Sequence, residues 1–387
     1  MEFEFSDRIK ALPLYLFARM EEIIRKKQQN GADIISLGIG DPDLPPPKFI
    51  LDALREEASN PRNHGYSSSI GEYDFRLAVT EWYKNRFSVD LDPEKEVIAL
   101  IGSKEGLSNL ARAFINEGDR VLVPDPAYPV YANGGAILSG GKPVYVPLIE
   151  EKQWLPDLEN INPKGAKMLY LNYPNNPTGA TATIKELEEF VEFALKNRLI
   201  LCYDNAYSEI TFQDYKAPSI LQIDEAKEVA IEMNSCSKTF NMTGDRIAFA
   251  VGNKKLVEGL AKVKSQTDSG SPKYVQKVAA KALRTYKGPE PPEYILERNK
   301  IYEKRAQLLV SELTSLGLKC KMPKATFYIW AKCGESSMEF VEKMLSVNVA
   351  ATPGVGFGNH GEGYIRFAVT CKEERIKEAC ERLKKIL

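Results

Sequence analysis

Between residues 48 and 280, short apolar runs typical of β-strands alternate with longer segments of helical periodicity. An alternation of this kind favours a mostly parallel sheet that is covered by helices on both faces. The predicted strands are 97–101, 120–123, 142–146, 168–171, 199–203, 229–233 and 247–251, and the predicted helices include 105–115 and 184–196. We therefore expect an α/β fold in which these strands form the central sheet.

The chain has 387 residues, and this length suggests more than one domain. A cluster of glycine and prolines at 288–292 interrupts the alternating pattern, and a long charged helical segment at 293–316 follows it. A helical pattern also covers 15–29, before the alternation begins. We predict a large domain and a smaller α+β domain that both chain ends form together. The predicted boundaries are 48–285 for the large domain, and 1–47 with 286–387 for the small one.

The composition argues against several classes of partner. The chain has 52 Lys and Arg against 53 Asp and Glu, and this balance supports neither nucleic-acid nor anionic-membrane binding. Six cysteines without a CxxC pair, together with two histidines, argue against a metal site. The N-terminus is interrupted by charges, unlike a signal peptide, and no apolar run approaches the length of a membrane span. We expect a soluble, cytoplasmic protein.

The segment 235–246, SCSKTFNMTGDR, lies between two predicted strands and concentrates reactive groups. The amine of Lys238 can form a Schiff base with an aldehyde. The hydroxyls of Ser235 and Ser237 and the guanidinium of Arg246 are groups that bind a phosphate monoester. An aldehyde with a phosphate arm describes pyridoxal 5′-phosphate (PLP). Taken alone, the segment also fits a solvated loop of serines and a lysine.

Two further segments carry polar groups just after predicted strands. In 102–106, GSKEG, backbone N–H groups at the start of a helix suit a phosphate, and Ser103 and Lys104 would contribute to that site. A simple strand-to-helix turn and a surface lysine are the alternatives. In 172–179, NYPNNPTG, prolines and a glycine fix a turn that aims the amide of Asn176 at the phenolic oxygen of PLP. A rigid β-turn is the alternative there.

Asp204 stands at the carboxyl end of a predicted buried strand, where open α/β sheets bind ligands. Opposite the pyridine nitrogen it would keep the ring protonated, and Tyr207 could reach the phenolic oxygen from the same side. Tyr128 follows another strand and could stack on a flat cofactor. Helix capping by the aspartate and core packing by Tyr128 are the open alternatives.

Two more candidates lie away from these strand ends. Tyr66 belongs to an exposed-looking segment, HGYSSSIG. Arg366 is a charge inside a strand-like run, GYIRFA, and a substrate carboxylate would give it a bidentate partner. An outward-facing strand residue is the alternative for Arg366.

Eight segments together resemble the fold-type I PLP-dependent aminotransferases and, more narrowly, the LL-diaminopimelate aminotransferase family. They are FSDRIKALPLYLF, LGIGDPD, VIALIGSKEG, VLVPDPAYPVY, LNYPNNPTG, DNAYSEI, SKTFNMTG and TPGVGFGNHGEGYIRFAVT. The likeness covers nearly the whole chain, and NNPTG, DNAY and SxSK with GxR are specific for the superfamily. The resemblance implies a mostly parallel seven-stranded sheet between helices in the large domain, and a smaller α+β domain.

The resemblance also implies a role for each candidate. Lys238 would carry the PLP Schiff base and shuttle a proton, while Asp204 would pair with the pyridinium nitrogen. Tyr207 and Asn176 would hold the phenolic oxygen. The other cofactor contacts would be Ser103, Lys104, Ser235, Ser237, Arg246, a stacking Tyr128, and Tyr66 from a second subunit. The substrate would contact Arg366, Gly40 and Asn176 through its α-carboxylate, and Tyr15, Lys104 and Tyr128 elsewhere. A phosphate site shared between subunits implies a homodimer.

The implied reaction exchanges the amino group of an amino acid with the oxo group of a 2-oxo acid. In the LL-diaminopimelate family, glutamate and 2-oxoglutarate are exchanged with tetrahydrodipicolinate and LL-diaminopimelate, which is a precursor of lysine and cell wall. One alternative is an aminotransferase for aspartate, alanine or an aromatic amino acid. A PLP-dependent lyase that cleaves C–S bonds and a PLP-binding regulator without turnover are the others.

Four residues at three places in the chain depart from the family pattern. Asp245 stands where a tryptophan is expected, and an acid beside Arg246 could draw that guanidinium from the phosphate and weaken PLP retention. Ser69 replaces a larger or acidic residue expected near the distal end of a long substrate, and Ser271 with Pro272 alters a loop. Because Lys238 and the strand-end aspartate are unaffected, these departures bear on the substrate more than on the reaction class.

Overall fold

The computed structural model describes residues 3–13, 16–334 and 336–387, and the side chains from residue 20 onward in the second range. The strands are β1 (Ile35–Ser36), β2 (Val97–Leu100), β3 (Arg120–Asp125), β4 (Lys142–Pro147), β5 (Ala166–Asn172), β6 (Ile200–Asp204), β7 (Ala230–Ser235), β8 (Ala248–Gly252), β9 (Lys319–Cys320), β10 (Tyr328–Lys332), β11 (Val349–Ala350), β12 (Thr352–Pro353) and β13 (Tyr364–Ala368).

The helices lie between and around these strands. They are α1 (Asp7–Lys10), α2 (Leu16–Gln29), α3 (Lys48–Ser59), α4 (Tyr73–Phe87), α5 (Ser103–Phe114), α6 (Ile184–Asn197), α7 (Ala226–Val229), α8 (Cys236–Thr239), α9 (Lys254–Lys264), α10 (Lys273–Leu283), α11 (Glu293–Ser315), α12 (Ser337–Ser346) and α13 (Glu373–Leu383). Within the described residues, no helix has both the length and the apolar character needed to cross a membrane.

Seven strands form one sheet in the order β2-β8-β7-β6-β5-β3-β4. Strand β8 pairs antiparallel with both of its neighbours, whereas the other neighbouring pairs are parallel. The predicted α/β class with a mostly parallel seven-stranded sheet is therefore confirmed. Strands β5, β6 and β7 at its centre are almost entirely buried, as expected when helices cover both faces of a parallel sheet.

The register of the central strands creates the site. Asn172 at the end of β5 is paired with Asp204 at the end of β6, which in turn is paired with Met233 of β7. Strand β7 then runs directly into α8 through Ser235. Because parallel strands end at the same edge of a sheet, the polar residues that follow them are gathered at one place.

A second, smaller group of strands lies beyond that edge. Strands β12, β13, β10 and β9 form a four-stranded sheet, and β1 pairs in parallel with β11. The pairing of Ile35 with Val349 joins the N-terminal segment to the C-terminal part of the chain. Leu309 of α11 and Phe367 of β13 belong to the same buried apolar cluster as Ile35. This shared cluster fits a small domain made from both ends, and the boundaries given above stay a prediction.

A substitution at Leu201 tests how much the central strand β6 contributes to the stability of the protein. The Leu201 side chain in β6 is fully buried, so Leu201→Ala should lower the free energy of unfolding by about 2–5 kcal/mol through lost burial and a residual cavity. Denaturant titration measures the change. Leu296→Ala on α11, where 42% of the residue is exposed, is the matched control and should change the free energy by less than about 1 kcal/mol. Equal losses in the two variants would contradict the assignment of the core.

Candidate active site

A cavity of about 430 Å³ lies at the carboxyl edge of the large sheet and reaches the small one. It is lined by twelve of the residues proposed from sequence: Gly40, Ser103, Lys104, Tyr128, Asn176, Asp204, Tyr207, Ser235, Ser237, Lys238, Arg246 and Arg366. Tyr66 is not among the lining residues and is 84% exposed. Tyr15 lies outside the described residues. The structure thus brings together groups from seven separate stretches of sequence.

Lys238 lies in the short helix α8, whose first turn is capped by Ser235. The hydroxyl of Ser235 accepts a hydrogen bond from the backbone N–H of Ser237 at 3.2 Å. The Lys238 Nζ donates to the carbonyl oxygen of Gly40 at 3.0 Å. Burial lowers the pKa of Lys238 to about 8, Asp41 opposes that shift, and Arg366 contributes to it. Near neutral pH, an amine with this pKa is deprotonated in part of the molecules and can then accept a proton.

Asp204 is buried at the end of β6, with 6% of the residue exposed. Its Oδ2 accepts a hydrogen bond from the Tyr131 hydroxyl at 2.8 Å, and its Oδ1 accepts one from the Ala206 N–H at 3.3 Å. Burial raises the pKa of Asp204 to about 6, although both hydrogen bonds favour the ionised form. A buried carboxylate that lacks a cationic partner among the described residues fits a cofactor carrying a protonated ring nitrogen.

Tyr131 was missed by the sequence analysis. It lies three residues after Tyr128, in the segment Tyr131–Ala136, and its ring stacks on Tyr170 with centroids 5.1 Å apart. The only available signal was a second tyrosine in the run PAYPVY, and that signal does not indicate which strand end the hydroxyl reaches. The contact with Asp204 depends on how the two segments pack.

One end of the cavity is suited to a phosphate. Ser103 begins α5, a helix of 12 residues, so free N–H groups and the positive end of the helix dipole face the cavity. The guanidinium of Arg246 lies against Gly102, and a Cβ at that position would overlap Nη2. Arg246 Nη1 also donates to the carbonyl oxygen of Thr243 at 2.8 Å. The hydroxyls of Ser235 and Ser237 complete a donor set that fits a phosphate monoester.

The other end is suited to a carboxylate. Arg366 is buried in β13, so the outward-facing alternative is wrong. Its Nη1 donates to Asn176 Oδ1 at 2.8 Å, and its Nη2 donates to the carbonyl oxygen of Gly38 at 2.7 Å. The guanidinium carbon lies 4.2 Å from the ring centroid of Tyr328 and 4.7 Å from that of Phe357. Its Nε is buried and has no hydrogen-bond partner among the described residues.

Tyrosine hydroxyls lie between the two ends. The hydroxyls of Tyr207 and Tyr328 are 3.0 Å apart, and burial raises the pKa of Tyr207 far above its usual value. Tyr328 was also missed, since nothing in its strand-like run marks it as functional. Gly40 is required for this arrangement because a Cβ there would overlap the Tyr328 hydroxyl. Near the opposite wall, the Lys104 Nζ lies 5.9 Å from the ring centroid of Tyr128.

The departures from the family pattern lie at or outside the edge of this cavity. Asp245 is partly buried, burial raises its pKa, and no ion pair joins it to Arg246 in the described part of the chain. The expected withdrawal of the guanidinium is therefore not seen, and weaker PLP retention stays a prediction. Ser69 does not line the cavity of its own chain. Ser271 Oγ donates to the backbone oxygen of Arg246 at 3.1 Å, so this loop supports the phosphate end.

The family model for aminotransferase class I and II matches residues 32–383. The chain belongs to this family of aminotransferases. The LL-diaminopimelate aminotransferase of Aquifex aeolicus is 49% identical over 390 residues, which cover 99% of this chain and 99% of that protein. Its counterpart in Moorella thermoacetica is 48% identical over 386 residues, covering 98% of this chain and 97% of that protein. The predicted family is confirmed, and the protein is a PLP-dependent aminotransferase.

Solved structures agree with this assignment. BacF of Bacillus subtilis, with substrate bound, has a TM-score of 0.93 at 37% identity, and the match covers 100% of this aminotransferase and 98% of BacF. A probable N-succinyldiaminopimelate aminotransferase from Thermus thermophilus has a TM-score of 0.89 at 35% identity, over 96% of this chain and 100% of that one. These likenesses confirm the fold-type I architecture.

Gly102 should be required for PLP binding by the aminotransferase. In Gly102→Ala the new Cβ would displace the Arg246 guanidinium, and loss of a charged hydrogen bond to phosphate should weaken PLP binding about tenfold or more. Fluorescence titration of PLP-free protein measures the dissociation constant. Gly118→Ala is the control, because Gly118 also has a positive φ but has open space around its Cβ position. If both variants weaken binding equally, backbone strain and not the contact with Arg246 is responsible.

Tyr131 should set the pH dependence of PLP binding. Tyr131→Phe removes a hydrogen bond that favours ionised Asp204, so the pKa of Asp204 should rise above about 6. PLP affinity should fall on acidification as Asp204 takes up a proton, and in the variant this fall should begin at higher pH. Titrations across the pH range that brackets this pKa measure the shift. Tyr170→Phe, next to it but without a contact to Asp204, should leave the profile unchanged. An unshifted Tyr131→Phe profile would contradict the assignment.

Proposed function

We propose that this aminotransferase exchanges amino groups between LL-diaminopimelate and 2-oxoglutarate, in the pathway to lysine and cell-wall precursors. The proposal is supported by curated relatives that carry the name LL-diaminopimelate aminotransferase at 44–49% identity over nearly the full chain. It also rests on one structural observation, the Lys238 amine lying in a single cavity with a buried carboxylate, a phosphate-type donor set and a buried arginine. The cytoplasmic location stays a prediction.

The residues present fit PLP. Ser103, Ser235, Ser237 and Arg246 would hold its phosphate, with Lys104 nearby. Asp204 would hold the ring nitrogen, and Tyr128 would lie over the ring. Asn176 and Tyr207 would hold the phenolic oxygen. When bound, PLP supplies an electron sink that stabilises negative charge at the substrate Cα. Asp204 maintains that property only while it is ionised, so Tyr131 supports it by keeping the carboxylate's pKa from rising further.

Arg366 would bind the α-carboxylate of either substrate. Its Nη1 already donates to Asn176 and its Nη2 to Gly38, so these contacts hold the guanidinium in one orientation. Each Nη carries a second N–H, and these would donate to the carboxylate. The rings of Tyr328 and Phe357 exclude water from its faces. A charge-assisted hydrogen bond is stronger where water is excluded. Binding of the carboxylate by Arg366 would also orient the Cα–H bond of the substrate for proton transfer.

Lys238 would move the proton. Once its amine is free, Nζ would remove the proton from the substrate Cα and would deliver it to C4′ of the cofactor. The pKa of about 8 suits both directions of transfer, because the amine can accept and release a proton near neutral pH. The carbonyl oxygen of Gly40 accepts a hydrogen bond from this amine when it is not otherwise engaged.

A homodimer is the second part of the proposal. Tyr66 is 84% exposed and is absent from the cavity of its own chain, and this placement suits a residue that serves the site of a second copy. Ser67, beside it, is tied to the loop at 269–271 through hydrogen bonds from its hydroxyl to Ser269 and Ser271. The phosphate of each site would then receive Tyr66 from the partner. Sedimentation equilibrium measures the assembly state.

The substrate is tested with purified, PLP-loaded protein supplied with LL-diaminopimelate and 2-oxoglutarate, with aspartate and alanine as competing donors. Glutamate formation is followed, and the cyclised product is trapped with an aromatic aldehyde. A clear preference for LL-diaminopimelate supports the proposal. Turnover with another donor alone keeps the chemistry and rejects the substrate. Pyruvate released from cystathionine without a 2-oxo acid would indicate the lyase alternative.

Arg366→Lys should lower kcat/KM for every amino donor by about 100-fold, because a lysine cannot reproduce the planar fork that a carboxylate requires. Steady-state kinetics measure the loss. Arg375→Lys is the matched control, since Arg375 is ion-paired with Asp33 at the protein surface and should be kinetically silent. If kcat/KM is unchanged in Arg366→Lys, the α-carboxylate binds elsewhere.

A further inference from the structure

Helix α11 contacts the active-site segments through one buried face. Its buried residues recur at spacings of three and four, and Arg298 and Arg305 are two of them. Seven residues make two helical turns, so these arginines point the same way and are separated by about 10 Å along the axis. Neither arginine lines the cavity, and the sequence analysis did not single out either one.

Arg298 is bound to the backbone of the reactive lysine. Its Nη1 donates to the carbonyl oxygen of Lys238 at 2.8 Å and also to that of Thr239. These carbonyl groups belong to the last turn of α8. Carbonyl oxygens in the last turn of a helix have no hydrogen-bond partners inside the helix. Because 6% of Arg298 is exposed, water has little access to replace these bonds. The guanidinium therefore fixes the backbone from which the Lys238 side chain extends.

The same guanidinium reaches a second segment of the site. Its Nη2 donates to the carbonyl oxygen of Glu209, and the neighbouring Asn299 donates to that oxygen at 3.0 Å. Glu209 lies two residues after Tyr207, and its carboxylate is held by Arg86 Nε at 3.1 Å and by the Tyr286 hydroxyl at 2.8 Å. The Glu209 segment is thus held by several buried hydrogen bonds, and α11 links it to Lys238.

Arg305 holds the loop that faces the lysine amine. Its Nη1 lies 2.8 and 3.0 Å from the two carboxylate oxygens of Asp43, and the Arg305 side chain is 6% exposed. Asp43 lies three residues after Gly40, whose carbonyl oxygen accepts the hydrogen bond from Lys238 Nζ. The other side of the loop is held by Thr370, whose hydroxyl donates to the Ile39 oxygen at 2.7 Å.

We propose that Arg298 and Arg305 are positioning residues that set the distance between Lys238 Nζ and the Gly40 carbonyl oxygen. One end of that hydrogen bond is anchored to α11 through Arg298, and the other end through Arg305 and Asp43. The rigid helix between them keeps the free amine at its resting acceptor and aimed into the cavity. This inference rests on the proposed role of Lys238 as the lysine that captures PLP.

The first test measures how fast PLP-free protein captures PLP, followed by the absorbance change without any substrate. Arg298→Met should slow capture about tenfold or more, since misplacement of a reacting group by about 1 Å has effects of this size. Arg298→Lys, which keeps one donor, should recover part of the rate. Lys304→Met removes a cation from an exposed flank of α11, where Lys304 pairs with Glu373, and should capture PLP at the wild-type rate. Capture at the wild-type rate by folded Arg298→Met would overturn the proposal.

The second test asks whether both arginines act on the same atoms. Arg298→Met, Arg305→Met and the double variant form a cycle, and residues that share one target show non-additive effects. We expect the double variant to capture PLP only slightly more slowly than the slower of the two single variants. We also expect the pH midpoint of the bound-cofactor absorbance to shift in all three variants. Strictly multiplicative slowing with unshifted midpoints would overturn the proposal. If Arg298→Met does not fold, as judged by thermal melting, Arg298→Lys and Arg305→Met carry both measurements.

The role of Lys238 itself is checked separately. Lys238→Ala should give no covalent capture, seen as release of all PLP when the protein is denatured after borohydride reduction. Retention of reduced cofactor in this variant would show that another residue captures PLP, and it would overturn the proposed function together with this inference. The positioning role is supported if the arginine variants capture PLP slowly but, once loaded with PLP, keep the wild-type preference among amino donors. This result does not depend on which substrate the enzyme uses.

Discussion

Burial of the Lys238 amine beside the carbonyl oxygen of Gly40 is the interaction on which the rest of the site depends. A cation in an apolar setting is costly, so the surroundings lower its pKa to about 8 and supply one acceptor. The lysine belongs to the end of the large sheet, whereas Gly40 belongs to the N-terminal segment packed with the small one. The position of the amine at this junction therefore depends on how the two groups of strands pack against each other.

Charged side chains of both signs surround the Lys238 amine. Arg366 and Arg246 add positive charge at opposite ends of the cavity, where a carboxylate and a phosphate would compensate them. Asp204 is the buried anion on the sheet side, and burial raises its pKa while Tyr131 limits the rise. A buried carboxylate whose pKa is raised by its surroundings is a common feature of sites that bind charged molecules.

Much of this arrangement was predicted from sequence because local patterns specify it. The alternation of apolar and helical segments predicted the sheet, and residues that follow parallel strands must meet at its edge. Asn176, Asp204 and Lys238 each follow such a strand, so their convergence was expected. The antiparallel direction of β8 was not predicted, since strand direction depends on how the connections cross and not on the apolar pattern of the strand itself.

Residue types and their order along the chain determined by themselves the α/β class and the aminotransferase family, and they predicted the reactive groups of the site. Tertiary structure alone decided which side chains act on those groups. Tyr131 reaches Asp204, Tyr328 contacts Arg366, and the contacts of Arg298 with Lys238 span sixty residues of sequence. The physical reason is that a hydrogen bond is recognised by distance and angle, and only the packed chain brings these atoms within reach of one another.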